Sequence, residues 1–130
     1  MNDDATLFEI ADELLEYADE DEERLVHAIL KLAPGTRSEL LTSDFLNAYQ
    51  VYLYLFREIP DELIIDRLLL EPASALQRGV LLEEIDLVDL YLLVKGEMPV
   101  IQVRIQEEIL ATFQGRDSHH LAIRFAEEYE

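Results

Sequence analysis

The side chains best suited to acid–base or metal chemistry are three histidines and the carboxylates placed around them. His27 shares the polar face of its segment with Arg24 and Lys31. Two cations discourage a metal there, and His27 is read as a solvated surface group. His119 and His120 are consecutive. Adjacent helical residues point about 100° apart, so the two cannot both face one ion comfortably. We assign His120 to the candidate chemistry. Glu83, Asp86 and Asp89 recur every third residue, which lines them along one helical face, and Glu107 and Glu108 follow on the next segment. Carboxylates on facing helices can hold a dinuclear metal, but that arrangement also takes a Glu-x-x-His pair from each of two helices. The chain contains none, so a solvated acidic face is the plainer reading. Asp117, Ser118, His119 and His120 are contiguous, whereas triad members come together from separate places. Asp117 and Ser118 are read as a helix cap. There is no P-loop, dinucleotide fingerprint or His-Glu-x-x-His motif, and no cysteine for a disulfide, thiolate site or nucleophile. No cofactor is expected.

The residues suited to recognition are clearer. The chain carries 29 acidic against 10 basic residues, a net charge of −19. Such a surface repels phosphates and anionic membranes, which argues against direct nucleic-acid or membrane binding. It permits a basic protein partner, including a nucleic-acid-binding protein that a carboxylate array would block by mimicry. The run Asp19, Glu20, Asp21, Glu22 and Glu23 is the candidate acidic rim. Tyr49, Tyr52, Leu53 and Phe56 are spaced as core, while Tyr54 lies towards the other side and is the candidate aromatic contact, since tyrosine is enriched at interfaces.

Apolar periodicity predicts that these residues sit on helices over 6–17, 21–33, 43–59, 60–70, 74–82, 83–95, 99–114 and 118–129. Pro34-Gly35 ends the second, Thr42, Ser43 or Asp44 caps the third, Pro60 opens the fourth, and Gly96 and Gly115 follow two others. Residues 100–105 alternate enough to pass for a strand, but no partner strand is apparent. Length 130 suits one domain spanning 1–130. No stretch approaches the roughly 20 apolar residues of a membrane span. The acidic start Met1-Asn2-Asp3-Asp4 does not read as a secretory signal. With cysteine absent, a cytoplasmic setting is expected.

Ala75-Leu76-Gln77-Arg78-Gly79-Val80-Leu81-Leu82-Glu83-Glu84-Ile85-Asp86-Leu87-Val88-Asp89-Leu90 resembles the third helix of a group of uncharacterised bacterial ferritin-like domains. Gly115-Arg116-Asp117-Ser118-His119-His120-Leu121 resembles the start of their last helix, with one extra residue. The resemblance covers about residues 75–125 and implies a four-helix bundle with Glu83 or Glu84 and His120 on the metal side. The first half lacks that family's Glu and Glu-x-x-His positions.

The sequence therefore predicts an all-α fold, a compact bundle of about six to eight helices in antiparallel hairpins. The predicted function is a non-enzymatic interaction module: an adaptor, inhibitor or immunity-type protein that presents an acidic surface to a basic partner. The alternatives are a carboxylate metal-binding protein with an incomplete site, and a homodimer or larger structural oligomer.

Overall fold

Residues 80–114 form a four-stranded antiparallel sheet in the computed structural model of the protein, not two helices. The structure describes residues 22–129 together with Glu9, Ile10, Asp12, Glu13 and Glu16, which are helical. Five α-helices have described bounds: α1 (Glu22–Leu30), α2 (Pro34–Leu41), α3 (Ala48–Phe56), α4 (Glu62–Leu69) and, after the sheet, α5 (Ser118–Glu128). A 3₁₀ turn, Ala73–Gln77, leads into β1 (Val80–Ile85), β2 (Val88–Lys95), β3 (Met98–Ile105) and β4 (Glu108–Gln114). The all-α bundle is thus corrected to a mixed fold. A sheet in place of the third helix also rules out a ferritin-like four-helix bundle.

The sheet is a meander in the order β1-β2-β3-β4. Its three hairpins close at Ile85↔Val88, Lys95↔Met98 and Ile105↔Glu108, leaving two-residue loops. In each loop the first residue has positive φ: Asp86 at 54°, Gly96 at 65° and Gln106 at 56°. Positive φ at the first loop position alone marks the turn whose twist matches a hairpin, and glycine is its usual occupant. Gln106 adopts it at a steric cost of about 1–2 kcal/mol. Gln106→Gly is expected to stabilise the fold by about 0.5–1 kcal/mol once glycine's extra entropy is deducted. Urea unfolding with no gain would show that the loop carries no such strain.

The strands read as helix because leucine serves both structures and the sheet is partly buried on both faces. Val88, Leu90, Leu92 and Val94 of β2, with Ile101 and Val103 of β3, join the main core. Leu93 and Val100, opposite one another, are also buried but lie on the other face. There the Arg104 guanidinium stacks 4.3 Å from the Tyr91 ring centroid and its Nε donates to Gln102 at 3.0 Å. The strict alternation of a half-exposed strand is therefore lost.

Helix α3 is apolar nearly all round and buried nearly all round, with only Tyr49 partly exposed. It starts later than the sequence suggests. Asn47 and Gln50 form a reciprocal cap, each side chain accepting from the other's backbone N–H at 2.9 Å. Ser43 instead donates to the Leu40 carbonyl at 2.8 Å. Likewise Pro34, read as a stop, is the first residue of α2. At α4 the cap is Asp61, which accepts from the N–H groups of Leu63 and Ile64. The start of α3 and the end of α4 are tied by Ala48 N–H to Glu71 O and Ala73 N–H to Leu46 O, both 2.9 Å. Helix α4 then lies along the outer strand β1, where Arg67 donates to the Leu82 carbonyl at 3.1 Å. That covers part of an otherwise open sheet edge. Helix α5 packs across β3 and β4 through Phe113 and Phe125, whose ring centroids are 6.0 Å apart. Among the described residues no helix is long and apolar enough to cross a membrane.

Candidate functional site

The structure draws one chain of titratable groups together, and it is centred on His119. In α5, Ser118, His119, Ala122 and Ala126 share the buried stripe, while Leu121 and Tyr129 face outward. This orientation of the helix puts the His119 ring between α3 and β1. Tyr52 Oη lies 2.7 Å from His119 Nδ1, and His119 Nε2 lies 2.7 Å from Glu83 Oε2. Tyr52 is 1 % exposed and His119 5 %, whereas the Glu83 side chain keeps 24 % of its surface. A carboxylate only accepts, so in the neutral tautomer that fits this geometry Nε2 carries the proton and Nδ1 accepts from the Tyr52 hydroxyl. The Phe56 ring packs 4.5 Å from that of Tyr52.

Burial, reinforced by the negative charges of Glu58, Glu83 and Asp61, holds the Tyr52 phenol far above its usual range. A phenol so placed is a poor proton donor to substrate and is sealed from solvent. The Tyr52–His119–Glu83 chain therefore ties α3, α5 and β1 together. Ser118 is also buried, and its hydroxyl has no partner among the described residues. It is not a side-chain cap, and neither is Asp117.

The metal-side candidates separate. Glu83 turns inward to His119. Its neighbour Glu84 points to the other side of the strand, where it pairs with Arg67 at 3.4 Å. His120 is exposed and pairs with Glu58 at 3.1 Å. Glu83, Glu84 and His120 thus engage three different partners. Among the described residues no group of three or more His, Asp or Glu is arranged to hold a metal. Asp86 and Glu107 sit in hairpin loops, not on facing helices. The histidine held in the interior is His119, not the candidate His120. The available signal was that His119, not His120, lies three and seven residues before Ala122 and Ala126.

The recognition candidates also move. Asp19, Glu20 and Asp21 lie outside the described residues. Glu22 opens α1, and Glu23 is exposed beside a cleft of about 490 Å³ that is also lined by His27, Arg57, Glu58 and Ile59. Tyr54 is not a surface contact. It is 7 % exposed, and its hydroxyl donates to Glu97 at 2.9 Å. Burial first, and that hydrogen bond next, raise its pKa.

Apolar exposure is instead concentrated around α4. Ile64 and Leu68 face the core, but Leu63 is 74 % and Leu70 82 % exposed. Seven residues apart, they share one helical stripe. Ile59, just before the helix, is 63 % exposed. Exposed Glu58, Glu62, Asp66 and Glu71 flank these residues along the chain, and the nearby cation Arg67 is held by Glu84 and the Leu82 carbonyl. The apolar periodicity of residues 60–70 does not by itself tell this exposed stripe from the buried one.

The chain matches no protein-family model, no curated protein and no solved structure.

Proposed function

We propose that this protein is a non-enzymatic interaction module that binds a basic protein partner through α4 and the segments flanking it. The observation carrying the reading is the pair Leu63 and Leu70, presented to solvent on one stripe between carboxylates. Large apolar side chains left this exposed and grouped are a feature of binding surfaces. Their burial supplies affinity, while the acidic rim supplies rate and selectivity for Arg or Lys on the partner. The buried Tyr52–His119 pair, tied to the partly exposed Glu83, supports a structural role for the most enzyme-like residues. The cysteine-free composition accords with a cytoplasmic setting.

The test is quantitative affinity capture from an extract of the source cells, comparing wild type with Leu63→Ser/Leu70→Ser. The substitution leaves charge unchanged and removes only exposed apolar surface. The expected result is a basic protein retained by wild type at low salt, lost at high salt, and depleted about tenfold or more in the variant. Equal capture by both proteins would sink the reading.

A further inference from the structure

Three of the ten basic residues in this chain line one cleft. The cleft, of about 460 Å³, is formed by the end of α3, the β2–β3 hairpin and the turn before α5, and its lining includes Arg57, Lys95 and Arg116. Among the described residues these three have no ion pair. Among the described residues Lys31, Arg78, Arg104 and Arg124 have no ion pair either, so what sets these three apart is that one cleft gathers them. The one acid in the lining, Glu97, is already engaged. Its Oε1 accepts from Tyr54 Oη at 2.9 Å and lies 3.0 Å from Arg37 Nε.

The backbone fixes these cations from three separate segments. Arg57 ends α3 in the left-handed conformation at φ 58°. Its Nε donates to the Tyr54 carbonyl at 2.9 Å and its guanidinium lies 5.4 Å from the Tyr54 ring centroid. That leaves the two terminal nitrogens for a ligand. Lys95 ends β2 just before the left-handed Gly96, and Arg116 follows Gly115, whose N–H donates to the Pro99 carbonyl at 3.0 Å. Leu55, Met98 and Pro99 supply an apolar wall.

We propose that this cleft binds a small phosphate-bearing molecule, with Arg57, Lys95 and Arg116 on the phosphate and the Leu55–Met98–Pro99 wall on its apolar remainder. Three independent cations match a dianion with several terminal oxygens better than a single carboxylate, which offers one charge and two oxygens. The volume falls in the lower part of the range of small-molecule sites. The site is distinct from the α4 face and does not depend on it.

Phenyl phosphate and benzoate, titrated separately at constant ionic strength and followed by amide NMR, test the assignment. Phenyl phosphate is expected to shift the Glu97 and Gly115 amides saturably. Lys95→Gln/Arg116→Gln, both at exposed positions, is expected to weaken that binding about tenfold or more while its spectrum elsewhere stays native. Benzoate binding as tightly as phenyl phosphate would overturn the phosphate assignment. Shifts that never saturate, or that persist unchanged in the variant, would overturn the site.

Discussion

His119→Ala is expected to lower the unfolding free energy by about 2–4 kcal/mol, because it removes a buried ring and strands both of its partners. The Tyr52 hydroxyl is 2.7 Å from His119 Nδ1 and has no other partner within the described residues. Glu83 loses the donor that holds it against the protein interior. An unsatisfied buried hydroxyl costs about 1–3 kcal/mol by itself. Tyr52→Phe removes the hydroxyl while keeping the ring against Phe56, and leaves only Nδ1 without a partner. It is expected to cost about 1–2 kcal/mol. The double variant Tyr52→Phe/His119→Ala should then be less destabilised than the sum of the two single changes, since the stranded hydroxyl is gone. Chemical denaturation of the three variants measures this directly. Strict additivity would mean that the two side chains do not act through their mutual contact.

The second large effect is alkaline. Tyr52 is neutral in both the folded and unfolded chain below about pH 10, so its contribution to stability is complete there. Above that pH the unfolded phenol ionises. The folded one ionises only at far higher pH, because burial and the surrounding carboxylates of Glu58, Glu83 and Asp61 oppose its charge. The unfolded state then binds fewer protons than the native state, and stability falls as pH rises, by about 1.4 kcal/mol per pH unit for this one group. The loss continues until the folded phenol itself ionises. Tyr54, also raised by burial and by its bond to Glu97, adds to the slope. Denaturation midpoints measured from pH 8 upward should therefore decline beyond about pH 10. The decline should be shallower, but not absent, in Tyr52→Phe. An identical slope in that variant would show that Tyr52 ionises freely in the folded protein.

Some of this was legible in the residues. The apolar surround of α3 required a central helix, and that is where it lies. The helix from Ser118 was also placed, although neither Asp117 nor Ser118 caps it with its side chain, and α4 is capped by Asp61 instead of opening at Pro60. The sheet was not legible, for two reasons. Two of its three tight turns begin with Asp86 and Gln106 instead of glycine, so the usual hairpin punctuation is missing. The third, Gly96-Glu97, does carry it, flanked by apolar runs, but a glycine after a leucine-rich stretch also fits a helix end. Residues 100–105 did alternate. Their partners were hidden because β2 and β4 were themselves taken for helix. The leucine-rich resemblance to a ferritin-like helix across 75–90 followed from the same confusion of composition with structure.

The site was less legible than the fold, because it depends on helix rotation. A turn of one residue in α5 decides whether His119 or His120 enters the core. The packing of small Ala122 and Ala126 against the sheet settles it in favour of His119. In α4, Leu63 and Leu70 share a stripe that periodicity alone would bury. The buried face is set instead by Ile64 and Leu68, which pack where α4 meets β1 and α3. The concentration of Arg57, Lys95 and Arg116 arises from segments far apart in sequence and could be found only in three dimensions.

We propose that the α4 face binds a basic partner through apolar contact framed by charge. The most direct measurement is the binding kinetics of a synthetic amphipathic helix, leucines on one face and lysines on the other. Wild type and Leu63→Ser/Leu70→Ser would be compared at low and high salt. Salt is expected to slow association equally for both proteins, because their charge is the same. The variant is expected to release the peptide about tenfold faster or more, because the apolar anchors are gone. Equal release rates from the two proteins would contradict it: the peptide would then be held by charge alone, and Leu63 and Leu70 would not be a binding surface.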